Sequence, residues 1–409
     1  MANALKNTSL VTKLAVKEFL NSLMMGQKVD RQLDEKNVFS GKVGASAKVQ
    51  RPVMFEAVDG ATLSNQDIEE ATVDVTLDNR KHVSFKISSQ DMALSVEDVT
   101  AKYIRPAMEE LAQNVESFLA SLYTEIPNFV GTPGTVPSTF LEVATAGSAL
   151  SKLGVPMNER CAFWNADATV ALANGLKGVF TQPNAKTAIE EASFGRYGKF
   201  DNFESNSLKS HTVGAHGGTP LVNGATQNVT YATAKDTDTQ TLVTDGWTNS
   251  TAGILLAGDV ITIAGVNSVN RRTREDTGSL QTFTVTADAT SGASTGPATL
   301  TIAPPIITSG PYQTVTAAPA DNAAITVKTG TASATYPQNM AFHKNAITLA
   351  FGQLDVVTEG ASGSRTNFKG VSVKTQMQYN ITNDELVYRF DILYGAKVQN
   401  RSFAVRTTS

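Results

Sequence analysis

The stretch Ile104-Arg-Pro-Ala-Met-Glu-Glu-Leu-Ala-Gln-Asn-Val-Glu-Ser-Phe-Leu-Ala-Ser-Leu122 carries an unusually regular helical pattern in this 409-residue sequence. Its apolar residues step by four, three, four, three and four, a spacing that places them on one face of a helix. Ser95 and Asp98 form an S-x-x-D capping box ahead of this stretch. Pro106 either lies in the first turn of the helix or kinks a longer helix that begins at Val96. The sequence therefore predicts a long helix that packs along one face.

The segment upstream of this helix has the period-two pattern of β-strands. Apolar and polar residues alternate over 73–77 and again over 83–87, and the residues between them suit a hairpin connection. We expect a long two-stranded hairpin, with residues 47–58 as a candidate further strand. No dense apolar cluster accompanies it, and an isolated hairpin is marginally stable in water. We therefore expect this hairpin to pack against another protein surface.

Both ends of the chain also carry clear patterns. Between Ser9 and Met25, apolar residues recur at helical spacing among charged ones, which predicts an amphipathic helix. Residues 26–44 are charge-rich and aperiodic, as in an extended arm. Near the other end, alternation over 371–379 and again over 386–394 predicts a second long hairpin.

The middle of the chain divides by composition. A helix around Leu141–Leu153, a strand at Arg160–Trp164 and a helix at Ala166–Leu176 indicate an α+β or α/β layer. From residue 225 to 337 charged residues become scarce and short β-patterned runs follow one another between turn residues. These runs are Asp259–Ile263, Gln281–Val285, Ala298–Ile302 and Ala324–Val327. They predict a small β-barrel or sandwich inserted into the surrounding domain.

Composition and charge exclude several classes of protein. A hydrophobic content of 41% is too high for a disordered chain, and 34 Lys+Arg against 38 Asp+Glu offer no general basic face for nucleic acid. Cys161 has no partner for an intrachain disulfide. No apolar signal segment or membrane-spanning run is evident, so we expect synthesis in the cytoplasm and no membrane partner.

A search for chemistry finds weak candidates. Cys161 lies in a strand pattern with no histidine near it in sequence, so we interpret it as a buried small residue. His211 and His216 lack the spacing of a zinc site and are interpreted as turn or surface residues, and His343 as a boundary residue. The basic run Arg271–Arg274 is followed at once by acidic residues and is interpreted as a solvated loop. We therefore predict no catalytic residue, no cofactor and no metal ligand.

The order of these parts resembles the major capsid (coat) proteins of tailed bacteriophages, specifically those of short-tailed Salmonella-type phages. These proteins have the common Hong Kong-type capsid fold with an inserted β-barrel domain. The segments that carry the resemblance are Gly198–His211, Ala257–Val266, Gly278–Val285, Met340–Ala346 and Arg389–Val398. The resemblance implies an α+β fold with an N-arm, an extended E-loop hairpin, a long spine helix, and peripheral and axial domains.

The resemblance also implies a division of the chain. The expected parts are an N-terminal helix and arm at 1–45, the E-loop hairpin at 46–94, the spine helix at 95–126, a first axial and peripheral part at 127–224, the inserted β-barrel at 225–337, and an axial and peripheral return with the C-terminal hairpin at 338–409.

The implied function is self-assembly into an icosahedral head shell that encloses double-stranded DNA. The shell would form as a procapsid and then expand, and the protein would be located in the capsid of the virion. The expected partners are other copies in hexamers and pentamers, a scaffolding protein, a portal protein and weakly held DNA, with a decoration protein as a further candidate. We predict inter-subunit contacts at Phe19, Leu23, Phe55, Val73, Val75, Phe85 and Ile87. Two alternatives remain open, which are a secreted surface-layer or adhesin-like β-rich protein and an enzyme with unrecognised chemistry.

Overall fold

The structure is a computed structural model that describes residues 8–31, 39–40, 44–57, 60–61, 65–88, 100–176, 195–357 and 361–408. The helices in these ranges are α1 (Thr8–Ser22), α2 (Arg105–Ser121), α3 (Phe140–Lys152), α4 (Ala166–Leu176) and the short α5 (Tyr231–Ala234). The strands are β1 (Phe39–Ser40), β2 (Ser46–Gln50), β3 (Thr72–Thr76), β4 (Asn79–Ser88), β5 (Phe129–Val130), β6 (Arg160–Trp164), β7 (Arg196–Tyr197), β8 (Phe200–Glu204), β9 (Ser210–Thr212), β10 (Gly218–Val222), β11 (Gln240–Trp247), β12 (Val260–Val269), β13 (Asp276–Val285), β14 (Ala298–Ala303), β15 (Ile325–Val327), β16 (Thr335–His343), β17 (Ile347–Gln353), β18 (Ser362–Phe368), β19 (Val371–Asn380), β20 (Glu385–Val398) and β21 (Ala404–Thr408).

The chain forms two compact units. The first unit combines residues 1–49, 73–119 and 347–397, and the second combines residues 50–72, 120–346 and 398–409.

The predicted long helix is confirmed as α2, which lies between a π-helical turn at Thr100–Ile104 and a 3-10 turn at Leu122–Glu125. Pro106 is the second residue of α2 and directly follows the π-helical turn, so the described helical segment begins before the proline. Most of the predicted apolar stripe is buried, and Phe118 is half-buried with its ring 5.5 Å from that of Tyr394. The capping box at Ser95 and Asp98 lies outside the described residues.

A mixed sheet forms the centre of the first unit. Its order is β1-β17-β20-β19-β18, with β4 also paired to β20. The predicted C-terminal hairpin is confirmed, because β19 and β20 pair antiparallel from Lys374 with Asp391 to Asn380 with Glu385. The predicted N-terminal helix is confirmed as α1, which packs on β18 and β19 and buries Phe19 completely.

The predicted hairpin between residues 73–77 and 83–87 is wrong. β3 pairs with β2, whereas β4 pairs antiparallel with β20, from Ser88 opposite Glu385 to Asn79 opposite Tyr394. The physical reason is packing: the ring of Phe85 stacks on that of Tyr388 across this pair, at a centroid distance of 5.4 Å. β3 has no aromatic side chain to offer in exchange.

Glu116 of α2 fixes the chain that follows α1. Its Oε1 accepts hydrogen bonds from Met24 N at 3.0 Å and Gly26 N at 2.9 Å, and its Oε2 accepts one from Met25 N at 2.9 Å. Burial raises the pKa of Glu116, and the three N–H donors oppose that shift. One buried carboxyl group therefore satisfies three backbone donors at the end of the N-terminal helix.

The second unit contains the predicted α and β layer. A sheet with the order β5-β21-β16-β6-β8-β7 carries β9 beside β16. The predicted strand at Arg160–Trp164 and the predicted helix at Ala166–Leu176 are both confirmed. α3 begins at a capping box in which Glu142 accepts the N–H of Thr139 at 2.8 Å. The apolar faces of α3 and α4 pack on this sheet around Trp164 and Phe200.

The same unit contains the inserted β domain, defined here as residues 218–327. Its six-stranded sheet has the order β10-β11-β14-β13-β12-β15. The two ends of this order meet, because Leu221 bridges Ala324 and Val222 N donates to Ala323 O at 3.0 Å. The sheet is therefore a nearly closed barrel around an apolar core that includes Phe283. All four predicted strands are present, and the barrel also uses β10, which lies before residue 225, and β11.

Candidate assembly surfaces

Five of the seven predicted inter-subunit contacts lie inside the first unit. Their side chains are between 0% and 4% exposed, and they are Phe19, Leu23, Val73, Val75 and Ile87. The ring of Phe19, for example, lies edge-on to Phe351 at a centroid distance of 6.0 Å. Because these side chains present almost no accessible surface, they pack the chain's own core and have little area to offer a second copy. The inter-subunit role of these five residues stays a prediction, and their burial argues against it.

Phe85 is also engaged within its own chain. Its ring stacks between Tyr388 and Tyr103, at centroid distances of 5.4 and 5.8 Å. The side chain is half-buried. Phe85 therefore stabilises the pairing of β4 with β20, and its inter-subunit role stays a prediction.

Phe55 is the predicted contact that the structure leaves open to solvent. It is 62% exposed, and Ile68 is 66% exposed. Both belong to what we call the extended loop, whose described residues are 51–57, 60–61 and 65–70. The two limbs of this loop face each other: Arg51 N donates to Ala71 O at 2.8 Å, and Glu56 N donates to Gln66 Oε1 at 2.9 Å. The sequence pattern does not single out Ile68, because it lies in an acidic stretch without alternation.

A buried polar cluster joins the inserted β domain to the rest of the second unit. Asp259 is 0% exposed, and its Oδ1 lies 2.9 Å from His211 Nε2 and accepts from Thr329 Oγ1 at 2.8 Å. Its Oδ2 accepts from Leu256 N at 2.7 Å and Gly214 N at 3.0 Å. An ionised carboxylate only accepts hydrogen bonds, so His211 Nε2 carries the hydrogen. Asp259 thus accepts four hydrogen bonds.

The cluster continues into the surrounding domain through Tyr123 and Arg406. The hydroxyl of Tyr123 lies 3.1 Å from His211 Nδ1, and the guanidinium of Arg406 donates to Gly258 O. Arg406 also lies 5.7 Å from the ring centroid of Tyr123 and 5.6 Å from that of Phe129, a cation–π arrangement. Burial lowers the pKa of Arg406 to about 10, which leaves it charged at neutral pH.

The pKa of Asp259 follows from these contacts. Burial by itself would raise this pKa, but the hydrogen bonds from His211, Leu256, Thr329 and Gly214 outweigh burial and hold it below the ordinary value. Asp259 is therefore ionised at neutral pH, with His211 bound to it and Arg406 bound to the backbone of the preceding residue, Gly258. The arrangement holds the inserted β domain against the surrounding part of the second unit.

The residues considered for chemistry have structural roles. Cys161 is buried, with its Sγ 3.5 Å from Phe342 O. His343 ends β16 as predicted, and burial lowers its pKa. The interpretation of His211 as a turn or surface residue is wrong, since it is 2% exposed. Sequence reasoning misses this role because the partner Asp259 lies 48 residues away.

The basic run at Arg271–Arg274 is a turn with Arg272 and Thr273 exposed, and the interpretation as a solvated loop is corrected for Arg274. The guanidinium of Arg274 donates to Phe55 O at 3.0 Å and lies 3.7 Å from Glu56 Oε1, with its side chain 17% exposed. Within the described ranges, no group of three or more His, Cys, Asp or Glu side chains could hold a metal ion. None of the helices described is long and apolar enough to cross a membrane.

Comparisons with known proteins show the family of the chain. The family described as "P22 coat protein - gene protein 5" matches residues 1–404. The major capsid protein of Acyrthosiphon pisum secondary endosymbiont phage 1 is 25% identical over 285 residues, which cover 67% of each chain. The I-domain of the CUS-3 coat protein is 31% identical, covers 28% of this chain and 97% of its own, and has a TM-score of 0.19. A structure from Mycobacterium phage Che8 is 15% identical, covers 94% of this chain and 90% of its own, and has a TM-score of 0.45.

The match of this family to residues 1–404 defines a phage major capsid protein, a structural and non-enzymatic protein of the virion that forms the head shell. Within that class, the chain belongs to the P22 coat protein family.

Proposed function

We propose that copies of this chain meet in the shell through the extended loop, with Phe55 and Ile68 covered by a neighbouring copy. The observation that carries the proposal is their exposure of 62% and 66%, while the other predicted contact residues are engaged inside their own chain. Covering roughly 100 Å² of apolar surface at about 25 cal/mol per Å² contributes a few kcal/mol per contact. Contacts of this strength are reversible one at a time and become strong when repeated around a closed shell.

We further propose the partners and rearrangements that such a shell requires. A scaffolding protein would guide assembly of a procapsid, a portal protein would occupy the site of DNA entry, and expansion would follow as packed DNA fills the shell. Charge supports weak and non-specific contact with DNA, because 34 Lys+Arg are outnumbered by 38 Asp+Glu. A decoration protein remains a candidate partner.

The assignment of parts is likewise a proposal. We keep residues 1–45 as N-terminal helix and arm and 95–126 as spine helix, and we assign 127–217 with 328–409 to the axial and peripheral domains. Two of the expected parts take different bounds because of how their strands pair. The inserted domain takes 218–327 rather than 225–337, because β10 pairs with β11. The part expected at 46–94 as the E-loop hairpin is reduced to the extended loop, because β4 is a strand of the central sheet.

Replacement of Phe55 by serine tests the proposed contact. We expect Phe55→Ser to leave the free energy of unfolding of the unassembled subunit within about 0.5 kcal/mol of the original, because the side chain is exposed. We expect the yield of closed shells, measured by sedimentation after co-expression with the scaffolding protein, to fall severalfold. The matched control Phe55→Leu keeps an apolar side chain and should assemble normally. Normal shell yield with Phe55→Ser would contradict the proposal.

A further inference from the structure

We propose that the inserted β domain clamps the extended loop of its own chain and thereby sets the direction in which Phe55 and Ile68 meet a second copy. The inference deepens the proposed function and rests on it for the identity of the second copy. Its own basis is a set of contacts within the second unit, in which side chains of the inserted domain bind backbone groups on both limbs of the loop.

Tyr312 is the centre of the clamp. Its hydroxyl accepts a hydrogen bond from Met54 N at 3.1 Å and donates one to Glu69 O at 3.4 Å. Met54 and Glu69 lie on opposite limbs, next to Phe55 and Ile68 respectively. The ring of Tyr312 stacks in parallel on that of Tyr231, so the hydroxyl is held by a rigid aromatic pair. One side chain of the inserted domain thus fixes both limbs of the loop beside its two exposed apolar residues.

Arg274 holds the first limb at a second point. Its Nη2 donates to Phe55 O at 3.0 Å, and its Nη1 lies 3.7 Å from Glu56 Oε1. Because Arg274 binds the backbone of Phe55 itself, the aromatic side chain of Phe55 is left free to face outward. Glu56 in turn pairs with Gln66 across the loop through two hydrogen bonds. The two limbs and the clamp therefore form one connected network.

A buried ion network fixes the base of the loop. Arg51 Nη1 donates to Lys235 O at 3.1 Å and lies 3.6 Å from Asp238 Oδ1. Asp238 Oδ2 lies 3.3 Å from Arg401 Nε, and Arg401 also donates to Glu125 O at 2.8 Å. The side chains of Arg51, Asp238 and Arg401 are 13%, 18% and 6% exposed. Asp238 thus joins the loop to the C-terminal return of the chain.

A cavity of about 50 Å³ lies at the joint between loop and inserted domain, beside Arg51, Tyr231, Asp238 and Tyr312. The ion pairs of Arg51, Asp238 and Arg401 are largely shielded from water and therefore interact more strongly than exposed pairs, so the network resists rotation of the loop. Burial also raises the pKa of Tyr231, so its hydroxyl is neutral at physiological pH.

The clamp is tested by hydrogen–deuterium exchange of the unassembled full-length subunit, read by mass spectrometry on peptides that cover 51–57 and 65–70. Tyr312→Phe keeps the ring on Tyr231 and removes only the hydroxyl. We expect exchange in these peptides to rise roughly three- to tenfold, as for the loss of one or two hydrogen bonds. Arg274→Gln, which removes the guanidinium, should have a similar effect on 51–57 alone. The matched control Tyr336→Phe, whose hydroxyl accepts from Thr331 N at 3.3 Å, should leave the loop unchanged.

The same variants are then assembled with the scaffolding protein. We expect Tyr312→Phe to lower the initial rate of shell formation severalfold while Tyr336→Phe does not. Unchanged exchange in both Tyr312→Phe and Arg274→Gln would overturn the clamp. Raised exchange with an unchanged assembly rate would overturn its role in presenting the loop. If exchange rises as expected but Phe55→Ser still assembles normally, the clamp stands and the proposed contact at Phe55 fails.

Discussion

At the scale of single residues, buried polar groups define how the second unit is held together. Asp259, His211 and Arg406 come from three distant parts of the sequence and meet in one water-poor cluster. In the sequence each of them is an isolated polar residue. Local spacing cannot predict a contact between residues that lie 48 or more positions apart. The interpretation of Cys161 as a buried residue is confirmed, since its strand pattern alone predicts burial.

The lowered pKa of Asp259 gives a prediction for pH dependence. A carboxyl group with a depressed pKa in the folded state stabilises the fold above its unfolded pKa of about 3.9, and this contribution is lost as pH falls through the folded value. We therefore expect the free energy of unfolding to decrease as the pH drops below about 4. We expect Asp259→Asn to make the free energy of unfolding less dependent on pH in this range. The measurement is urea unfolding across the acidic to neutral range.

A control for that measurement is Asp355→Asn, since Asp355 is 98% exposed. It should keep the original pH dependence. If Asp259→Asn and the original chain lose stability in parallel as pH falls, Asp259 is not the group that carries the effect.

At the scale of elements, local pattern predicts strands better than it predicts their partners. The alternation over 83–87 correctly indicates a strand, yet β4 pairs with β20, far away in the sequence, because the aromatic side chains of Tyr388 and Phe390 lie there. The pattern misses β11 for a different reason. Its buried face carries Gln240 and Thr244 while Val243 is 43% exposed, so the apolar and polar positions are partly inverted.

The position of β4 in the central sheet predicts the effect of a core substitution. Ile87 is 3% exposed, so Ile87→Ser should lower the free energy of unfolding of the unassembled subunit by roughly 3 kcal/mol. The exposed neighbour Ser84, changed to alanine, should shift it by less than about 0.5 kcal/mol. Denaturant unfolding measures both. A stable Ile87→Ser subunit that fails only in assembly would place this strand at a subunit contact and contradict the packing described above.

At the scale of the whole molecule, composition alone indicates the inserted domain. Between residues 225 and 337, Glu275 is the only glutamate and lysine occurs only at 235 and 328. The barrel is held by apolar packing and by backbone hydrogen bonds, so it needs few charges. Three of its ionic groups lie at its junctions: Asp238 and Arg274 pair with the extended loop, and Asp259 binds His211 of the surrounding domain. The clamp is not predictable from the sequence, because Tyr312 matches no local motif and the basic run that contains Arg274 has the pattern of a solvated loop.

The measurement that tests the account most directly is electron cryomicroscopy of particles formed by the full-length chain with its scaffolding protein. The account predicts closed shells in which Phe55 and Ile68 are covered by a neighbouring copy, while Tyr312 still bonds Met54 and Glu69 of its own chain. Shells in which the extended loop lies free of any neighbour, or in which Tyr312 holds the loop of a different copy, would contradict it.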